Sequence, residues 1–360
     1  MEKYKVGRLG ATGTVGQKFI TLLENHPWFE VTVLAASSNS AGKRFKDVVA
    51  KRWAEDKALP VKYENLTVMD VEKDAEKIVS EVDFVFCALG CGKEKIKAIE
   101  EMYAKLECPV ISNNSANRMV NDVPMIIPEI NADHIDIIPY QRARLGTKKG
   151  FIAVKSNCSI QCYVPALHAA FDNNIKNILV CTYQAISGAG KTFNTWPEMV
   201  DNIIPYISGE EEKSEIEPLK IWGSVENGKI TLNKNINITS QCVRVPVSNG
   251  HTAATFVSFD KKISPEEFIE KLENFKVHKK SIGLPSSPKK FIHYFKEENR
   301  PQIKLDRNLE NGMGVSVGRV REDKQYDLKF ICMSHNTVRG AAGGAILLAE
   351  MLCREGYIYK

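Results

Sequence analysis

Tyr4-Lys5-Val6-Gly7-Arg8-Leu9-Gly10-Ala11-Thr12-Gly13-Thr14-Val15-Gly16 is the stretch that decides how the other residues of this 360-residue chain are read. Tyr4–Leu9 predicts a strand. The residues after it place Val15, Phe19, Ile20, Leu22 and Leu23 on one face of a helix. Between them lies Gly10-x-x-Gly13-x-x-Gly16. Glycines at a strand-to-helix turn let the backbone approach a pyrophosphate at the positive end of the helix. The spacing differs from G-x-G-x-x-G, and glycine triplets also occur in plain turns. The strand–helix setting favours a nucleotide site.

Further strands are expected at Val31–Ala36, Val82–Leu89 and Pro109–Ser112, alternating with helical patterns. That alternation predicts an α/β fold with a parallel sheet covered on both faces. In NAD-preferring folds a carboxylate ends the second strand and takes the ribose hydroxyl. Here that strand runs into Ser37-Ser38-Asn39-Ser40-Ala41-Gly42-Lys43-Arg44, with hydroxyls and cations but no carboxylate. This points to NADP. After about residue 156 the pattern changes. Longer strands are expected at Asn177–Ile186, His251–Asp260, Met313–Val320 and Tyr326–Ser334, forming a mixed or antiparallel sheet. Ser264-Pro265-Glu266-Glu267 reads as a capped helix start. Val338–Arg354, rich in Ala and Gly, reads as a closely packed C-terminal helix.

Composition narrows the class. Apolar residues make up 43% and charged residues 26%, with a net charge of +5, which suits a globular protein acting on small anions. The charges are interspersed, so nothing calls for nucleic acid. Nine scattered cysteines, an odd number, predict a reducing cytoplasm and no disulfide framework. No leader and no membrane span are expected, since no apolar run approaches ~20 residues. Glu210-Glu211-Glu212 reads as a solvated loop.

The chemistry centres on Cys158, in Lys155-Ser156-Asn157-Cys158-Ser159 after the apolar run Phe151–Val154. A strand turning into a helix there puts the thiol at a helix N-terminus, where the dipole favours thiolate. Cys162, one turn further in, reads as packing. Cys158/Cys162 and Cys87/Cys91 share C-x-x-x-C spacing but lack a matching His pair, so no metal is expected. His251, after Asn249-Gly250, is the expected acid/base. His26, His278 and His293 read as surface residues and His168 as helix packing, whereas His335, beside Asn336, reads as near a ligand. Gln184, before Ser187-Gly188-Ala189-Gly190, is placed to orient a carbonyl, and the loop to pass under a nicotinamide. Arg118 reads as an anion clamp. Glu217-x-x-Lys220 reads equally well as an exposed ion pair.

Together these residues resemble the aspartate-β-semialdehyde dehydrogenase family, in the wording of its archaeal and fungal branch. The matching pieces include Gly10–Gly16, Ser40–Lys43, Asn113–Arg118, Val123–Asn131, Ser156–Ser159, Gln184–Gly190, Glu217-x-x-Lys220, Arg244–His251 and Asn336–Gly344. They span nearly the whole chain. The resemblance implies a glyceraldehyde-3-phosphate-dehydrogenase-like fold. Its parts would be a Rossmann-type NADP-binding domain (1–155 plus 337–360) and an α+β catalytic and oligomerisation domain (156–336). It implies NADPH-dependent reductive dephosphorylation of L-4-aspartyl phosphate to L-aspartate 4-semialdehyde, a step toward lysine, threonine and methionine. Cys158 would be the nucleophile, Gln184 its carbonyl-orienting neighbour and His251 the acid/base. Arg244 would hold the substrate carboxylate and Glu217 its ammonium, with Lys220, Arg118 and Asn157 on phosphate. Cofactor contacts would be Gly10, Thr12, Gly13, Thr14, Val15, Ser37, Ser38, Ser40, Ser187, Gly188 and Asn336. A homodimer or homotetramer is implied. Malonyl-CoA reductase is the nearest alternative. N-acetyl-glutamyl-phosphate reductase and a nucleotide-sensing binding protein are more distant ones.

Overall fold

Seven strands, all parallel, form the first sheet of a computed structural model that describes residues 2–360. They are β1 (Tyr4–Leu9), β2 (Phe29–Ala36), β3 (Met69–Asp70), β4 (Phe84–Cys87), β5 (Val110–Ser112), β6 (Met125–Ile126) and β7 (Ile152–Lys155). Their order is β3-β2-β1-β4-β5-β7-β6. The order reverses between β1 and β4, so a crevice opens beyond their C-terminal ends. The expected parallel sheet is therefore present. Its strands are nearly continuous apolar runs because helices cover both faces.

The loop after β1 needs its glycines for packing. Gly10 sits at φ +82°, and a Cβ there would lie 2.2 Å from the Ala88 carbonyl. A Cβ at Gly16 would lie 2.3 Å from the Gly10 carbonyl, so the helix Thr14–Leu22 seats directly on the turn. Gly13 has open space instead, its nearest neighbour being 3.8 Å away. Within that helix Phe19 and Ile20 are buried, with Leu23 just beyond its end, as the periodicity predicts. One buried residue breaks the apolar rule of β1. Arg8 is fully buried, its guanidinium 4.6 Å from the Phe19 ring centre. Nη1 donates to the carbonyls of Leu9 and Phe86, whereas Nε and Nη2 have no partner among the described residues.

The C-terminal segment forms one π-turn (Val338–Ala342) followed by a helix (Gly343–Arg354). Ile346, Leu348 and Leu352 share a core with Val6, Phe19 and Phe86. His26, expected at the surface, is buried instead. Its Nδ1 accepts the N–H groups of Trp28 and Phe29, and its Nε2 lies 2.8 Å from Oε1 of the buried Glu350.

The second sheet is mixed, as expected. Its strands are β8 (Ile175–Gln184), β11 (Asn237–Arg244), β12 (His251–Phe259), β13 (Ile292–Phe295), β14 (Val315–Glu322) and β15 (Leu328–Ser334); a separate hairpin pairs β9 (Ser224–Glu226) with β10 (Lys229–Thr231). The order is β11-β8-β12-β15-β14-β13, parallel at the two flanks and antiparallel between. The edge strands β11 and β13 were not expected, since Asn237–Arg244 carries mostly polar side chains. Against one face packs the helix Ile160–His168, through Ile160, Tyr163, Val164 and Leu167. Ser264 caps the helix Pro265–Glu273 in the anticipated capping box. The register sets the site. Gln184 and Arg244 are paired at the ends of parallel β8 and β11, and antiparallel β12 starts beside them at His251. Across from them, β7 ends at Lys155 and delivers Ser156-Asn157-Cys158.

Candidate active site

Cys158 lies two residues before the helix Ile160–His168, in a turn closed by its neighbour. Asn157 Oδ1 accepts the Ser159 N–H at 2.7 Å and the Ser159 hydroxyl at 2.8 Å. Cys158 Sγ is 3.4 Å from His251 Nε2. His251 Nδ1 accepts the Ala185 N–H at 3.0 Å, which places the proton of the neutral ring on Nε2, facing the sulfur. Burial, then the Arg244 charge, push the His251 pKa down to about 3. In the neutral ring the Nε2–H faces the sulfur as a hydrogen-bond donor. The thiol itself departs from expectation. Burial pushes it up and the Glu210 carboxylate adds to that, while Lys155, Arg118 and Arg244 pull it down; the net direction is upward. The helix terminus alone does not make a thiolate here.

The acidic run expected to be solvated supplies a residue that the sequence reading missed. Glu210 is buried and opens the helix Glu210–Ile221. Its oxygens accept Asn157 Nδ2 at 3.0 Å each, Gln184 Nε2 at 3.2 Å and Lys213 Nζ at 2.7 Å. Burial pushes its carboxyl up. The Lys213 charge and the bonds from Lys213, Asn157 and Gln184 outweigh that and hold it below the ordinary value. Gln184 also donates to Thr182 Oγ1 at 3.2 Å, so both amide protons are engaged and its carbonyl oxygen is left for the site.

Glu217 and Lys220 are placed differently from the expectation. Glu217 Oε1 pairs with Arg118 Nη1 at 2.8 Å and Oε2 accepts the Asn157 N–H at 2.6 Å. Lys220 is buried and donates to the carbonyls of Arg118, Val120 and Val123 at 2.6–2.8 Å, which uses all three of its protons. Burial pushes its pKa down to about 7. The pair braces the Arg118 loop instead of facing a ligand. Asn157 turns its amide on Glu210, so it shapes the nucleophile turn.

Other expected residues do converge. Arg118 donates to the Lys155 and Asn113 carbonyls besides Glu217, leaving two of its five N–H groups free. Arg244 Nη1 donates to the Ala185 carbonyl at 2.6 Å, which leaves the rest of the guanidinium beside Cys158 and Glu210. A Cβ at Gly188 would meet Arg244 Nη1 at 2.8 Å and His251 Cε1 at 3.2 Å. Asn336 Oδ1 accepts the Gly250 N–H at 2.8 Å and its Nδ2 donates to Ser187 Oγ at 2.9 Å, tying the His251 turn to the Ser187 loop. Burial lowers the pKa of neighbouring His335 to about 4.

A cavity of about 210 Å³ lies where Thr14 and Lys18 face Ser187, Ser248, Asn249 and Thr337. The helix Thr14–Leu22 opens on it with Gly13 as cap, no side-chain cap bond and no acidic residue in its first turn. Its N–H groups are thus available to an anion, and the open side of Gly13 admits a close backbone approach. Ser37 and Ser38 are exposed beyond β2 with Lys43 and Arg44, whereas Ser40 is buried. These residues fit a dinucleotide with a phosphorylated ribose.

Comparison with known proteins gives a consistent result. A model described as "Semialdehyde dehydrogenase, NAD binding domain" matches residues 5–138, and one described as "Semialdehyde dehydrogenase, dimerisation domain" matches residues 165–339. The aspartate-semialdehyde dehydrogenase of Archaeoglobus fulgidus is 41% identical over 361 residues, covering 99% of this chain and 100% of that one. The protein of the same name from Schizosaccharomyces pombe is 42% identical over 360 residues, covering 98% of both. A crystal structure of the Candida albicans enzyme with NADP superposes with a TM-score of 0.88 at 37% identity, covering 99% of this chain and 100% of that one.

Proposed function

The chain belongs to the aspartate-semialdehyde dehydrogenase family, and from that premise we propose that it converts L-4-aspartyl phosphate to L-aspartate 4-semialdehyde with NADPH. The observation that carries the reading is the 3.4 Å approach of Cys158 Sγ to His251 Nε2, with Arg244 and Glu210 beside it. The Cys158 thiolate attacks the acyl carbon and phosphate leaves, forming a thioester. Arg118 and Lys213 stand ready for the phosphate. Glu210 and Lys213 form an ion pair before substrate arrives. A substrate carrying both an ammonium and a phosphate divides that pair, ammonium to Glu210 and phosphate to Lys213, while Arg244 takes the α-carboxylate. In this reading Glu210 and Lys213 take over the roles first expected of Glu217 and Lys220.

Gly10, Thr12, Gly13, Thr14, Val15, Ser37 and Ser38, with Ser187, Gly188 and Asn336 on the facing loop, would hold NADP(H), which supplies the hydride that reduces the thioester. His251 Nε2–H donates to the oxygen that carries charge in the tetrahedral species. Expulsion of Cys158 as thiolate then gives the aldehyde, and the one proton consumed overall goes to the departing phosphate. Splitting the displacement into two steps is the advantage of the covalent route. Malonyl-CoA reductase finds no support among these relatives, and malonyl-CoA has no ammonium group for Glu210.

We assign residues 1–155 and 337–360 to cofactor binding and 156–336 to catalysis and assembly. The outer face of the second sheet, with Tyr183 exposed and Phe256 and Ile331 half-buried, would serve a homodimer or homotetramer. Sedimentation equilibrium should return at least twice 40.3 kDa; a monomer would exclude this. None of the described helices is long and apolar enough to cross a membrane, and a cytoplasmic location suits nine free thiols.

The test is reverse turnover on L-aspartate semialdehyde with NADP or NAD, with and without phosphate. Phosphate-dependent reduction of NADP is expected, abolished in Cys158→Ala with cofactor binding intact. Silence there, with NADPH oxidation on malonyl-CoA, would overturn the assignment.

A further inference from the structure

The mechanism above needs a thiolate, and two features of the site work against one. Burial and Glu210 push the Cys158 thiol up. A fixed cation has to offset them. Arg118 and Arg244 are partly committed, to Glu217 and to the Ala185 carbonyl. A third cation has no part in the mechanism as stated. Lys155, the last residue of β7, lies three residues before the nucleophile and is 2% exposed.

Its side chain does not leave the protein. Nζ donates to the carbonyls of Ser156 and Gly340. Gly340 is the residue packed on the nucleophile, since a Cβ there would lie 2.8 Å from Cys158 Cβ and 3.1 Å from its Cα. The ammonium is thereby clamped between the residue two before Cys158 and the residue that covers it. One N–H remains unassigned to any acceptor. The backbone of Lys155 is equally fixed, its carbonyl accepting Arg118 Nε at 3.0 Å. A buried lysine beside a cysteine turn is costly as structure alone. Burying an ammonium without a carboxylate partner normally neutralises it or is selected against.

We propose that Lys155 is a positioning residue that supplies positive charge holding Cys158 as thiolate. The proposal rests on Cys158 being the nucleophile. It goes further by naming the group that activates it. The charged groups that face this centre are Arg118, Glu217 and Arg339 toward Lys155, and Glu210, Arg118 and Arg244 toward Cys158. The ammonium is soft enough to respond to them, its pKa being lowered to about 7, first by burial and then by Arg118, with the thiolate raising it. Lys155 and Cys158 therefore titrate as a pair, each favouring the charged form of the other.

The test reads the thiol without substrate, so it is independent of whether the proposed reaction is correct. Full-length protein is alkylated with iodoacetamide across pH 5.5–9.5, and the Cys158 peptide is quantified by mass spectrometry. Lys155→Met and Lys155→Gln should raise the apparent pKa of Cys158 by about one unit, slowing its alkylation at pH 7 roughly tenfold. Lys155→Arg, which keeps the charge, should stay near wild type. Folded neutral variants whose profiles superpose on wild type would overturn the proposal, leaving Lys155 as a brace for Gly340. Should the neutral variants not fold, the reciprocal measurement decides. In protein carrying 13C at lysine Cε, the resonance missing in Lys155→Arg should titrate lower in Cys158→Ser than in wild type. Identical titration in the two would also overturn it.

Discussion

Glu210→Gln removes one negative charge from the proposed site and changes little else in shape. Four donor contacts at 2.7–3.2 Å define the carboxylate in place, from Asn157, Gln184 and Lys213. Two consequences of opposite sign follow. Substrate ammonium loses its counter-ion, and a hydrogen bond to a charged group contributes about 1.5–3 kcal/mol. That range corresponds to a fall of roughly 10- to 150-fold in kcat/KM. At the same time the thiol loses the anion that pushes it up. Substrate-free alkylation of Cys158 at pH 7 should therefore become faster, by up to about tenfold if the shift approaches one pKa unit. Glu217→Gln serves as the contrast, because that carboxylate is consumed by Arg118 and the Asn157 N–H. It should leave alkylation unaccelerated. The assays are semialdehyde-dependent NADP reduction and Cys158 alkylation, run on the same preparations. A Glu210→Gln enzyme with kcat/KM within twofold of wild type, or with slower alkylation, would refute the reasoning.

Arg8→Met should stabilise the protein. The folded-state pKa of Arg8 is lowered by burial from 12.5 to about 10, equivalent to roughly 3 kcal/mol of penalty on the charged form. Loss of the contact with Phe19 and of the bond to the Phe86 carbonyl returns part of this, leaving a net gain of about 1–2 kcal/mol. For a base whose folded pKa is depressed, the penalty is complete below the folded value and fades only between about pH 10 and the unfolded value. The rise in urea midpoint should thus be equal at pH 6 and pH 9; a lower midpoint for the variant would contradict it. Gly188→Ala tests the shape of the pocket. The new methyl would sit 2.8 Å from Arg244 Nη1 and 3.3 Å from His251 Nε2. Displacing that pair should cut kcat/KM on the order of 100-fold, with a melting temperature within about 2 °C of wild type; unchanged kinetics would show that Arg244 and His251 yield without loss.

How much of this was legible depends on where each residue sits relative to a strand. Cys158 and the Gly10–Gly16 loop each follow an apolar strand, Gln184 ends one and His251 begins one, so periodicity placed them at sheet edges. Arg244, by contrast, ends the mostly polar β11 and was reached only through the family resemblance. Glu210 was hidden because Glu210-x-x-Lys213 and Glu217-x-x-Lys220 are the same pattern seven residues apart on one helix. Seven residues are about two turns, so both pairs share a face. Only the start of the helix relative to Gln184 decides which pair meets the pocket. Gly209, left-handed at φ +68°, sets that start. A glycine before an acidic run was the available signal. His26 failed for another reason: its partner Glu350 lies 324 positions away, and no local pattern carries that distance.

The site is assembled from two sheets, so its precision depends on what locks them together. Cys158 comes from the end of β7, while His251, Gln184 and Arg244 come from the second sheet. Arg339 donates to Glu129 at 2.5 and 2.9 Å and to Gln161 at 3.1 Å, and Gln161 donates to Ser156 Oγ at 2.6 Å. Arg339 and Glu129 are both buried. A buried ion pair contributes little net stability, because desolvating both charges offsets their attraction. Its effect here is geometric. It fixes the π-turn Val338–Ala342, and so the Gly340 carbonyl that holds Lys155, against the loop that carries the nucleophile. A hydrophobic pair of equal volume could match the stability but would not define that register. The Cys158–His251 distance is thus set as much by Glu129 and Arg339, which touch neither residue, as by the strands on which the two sit.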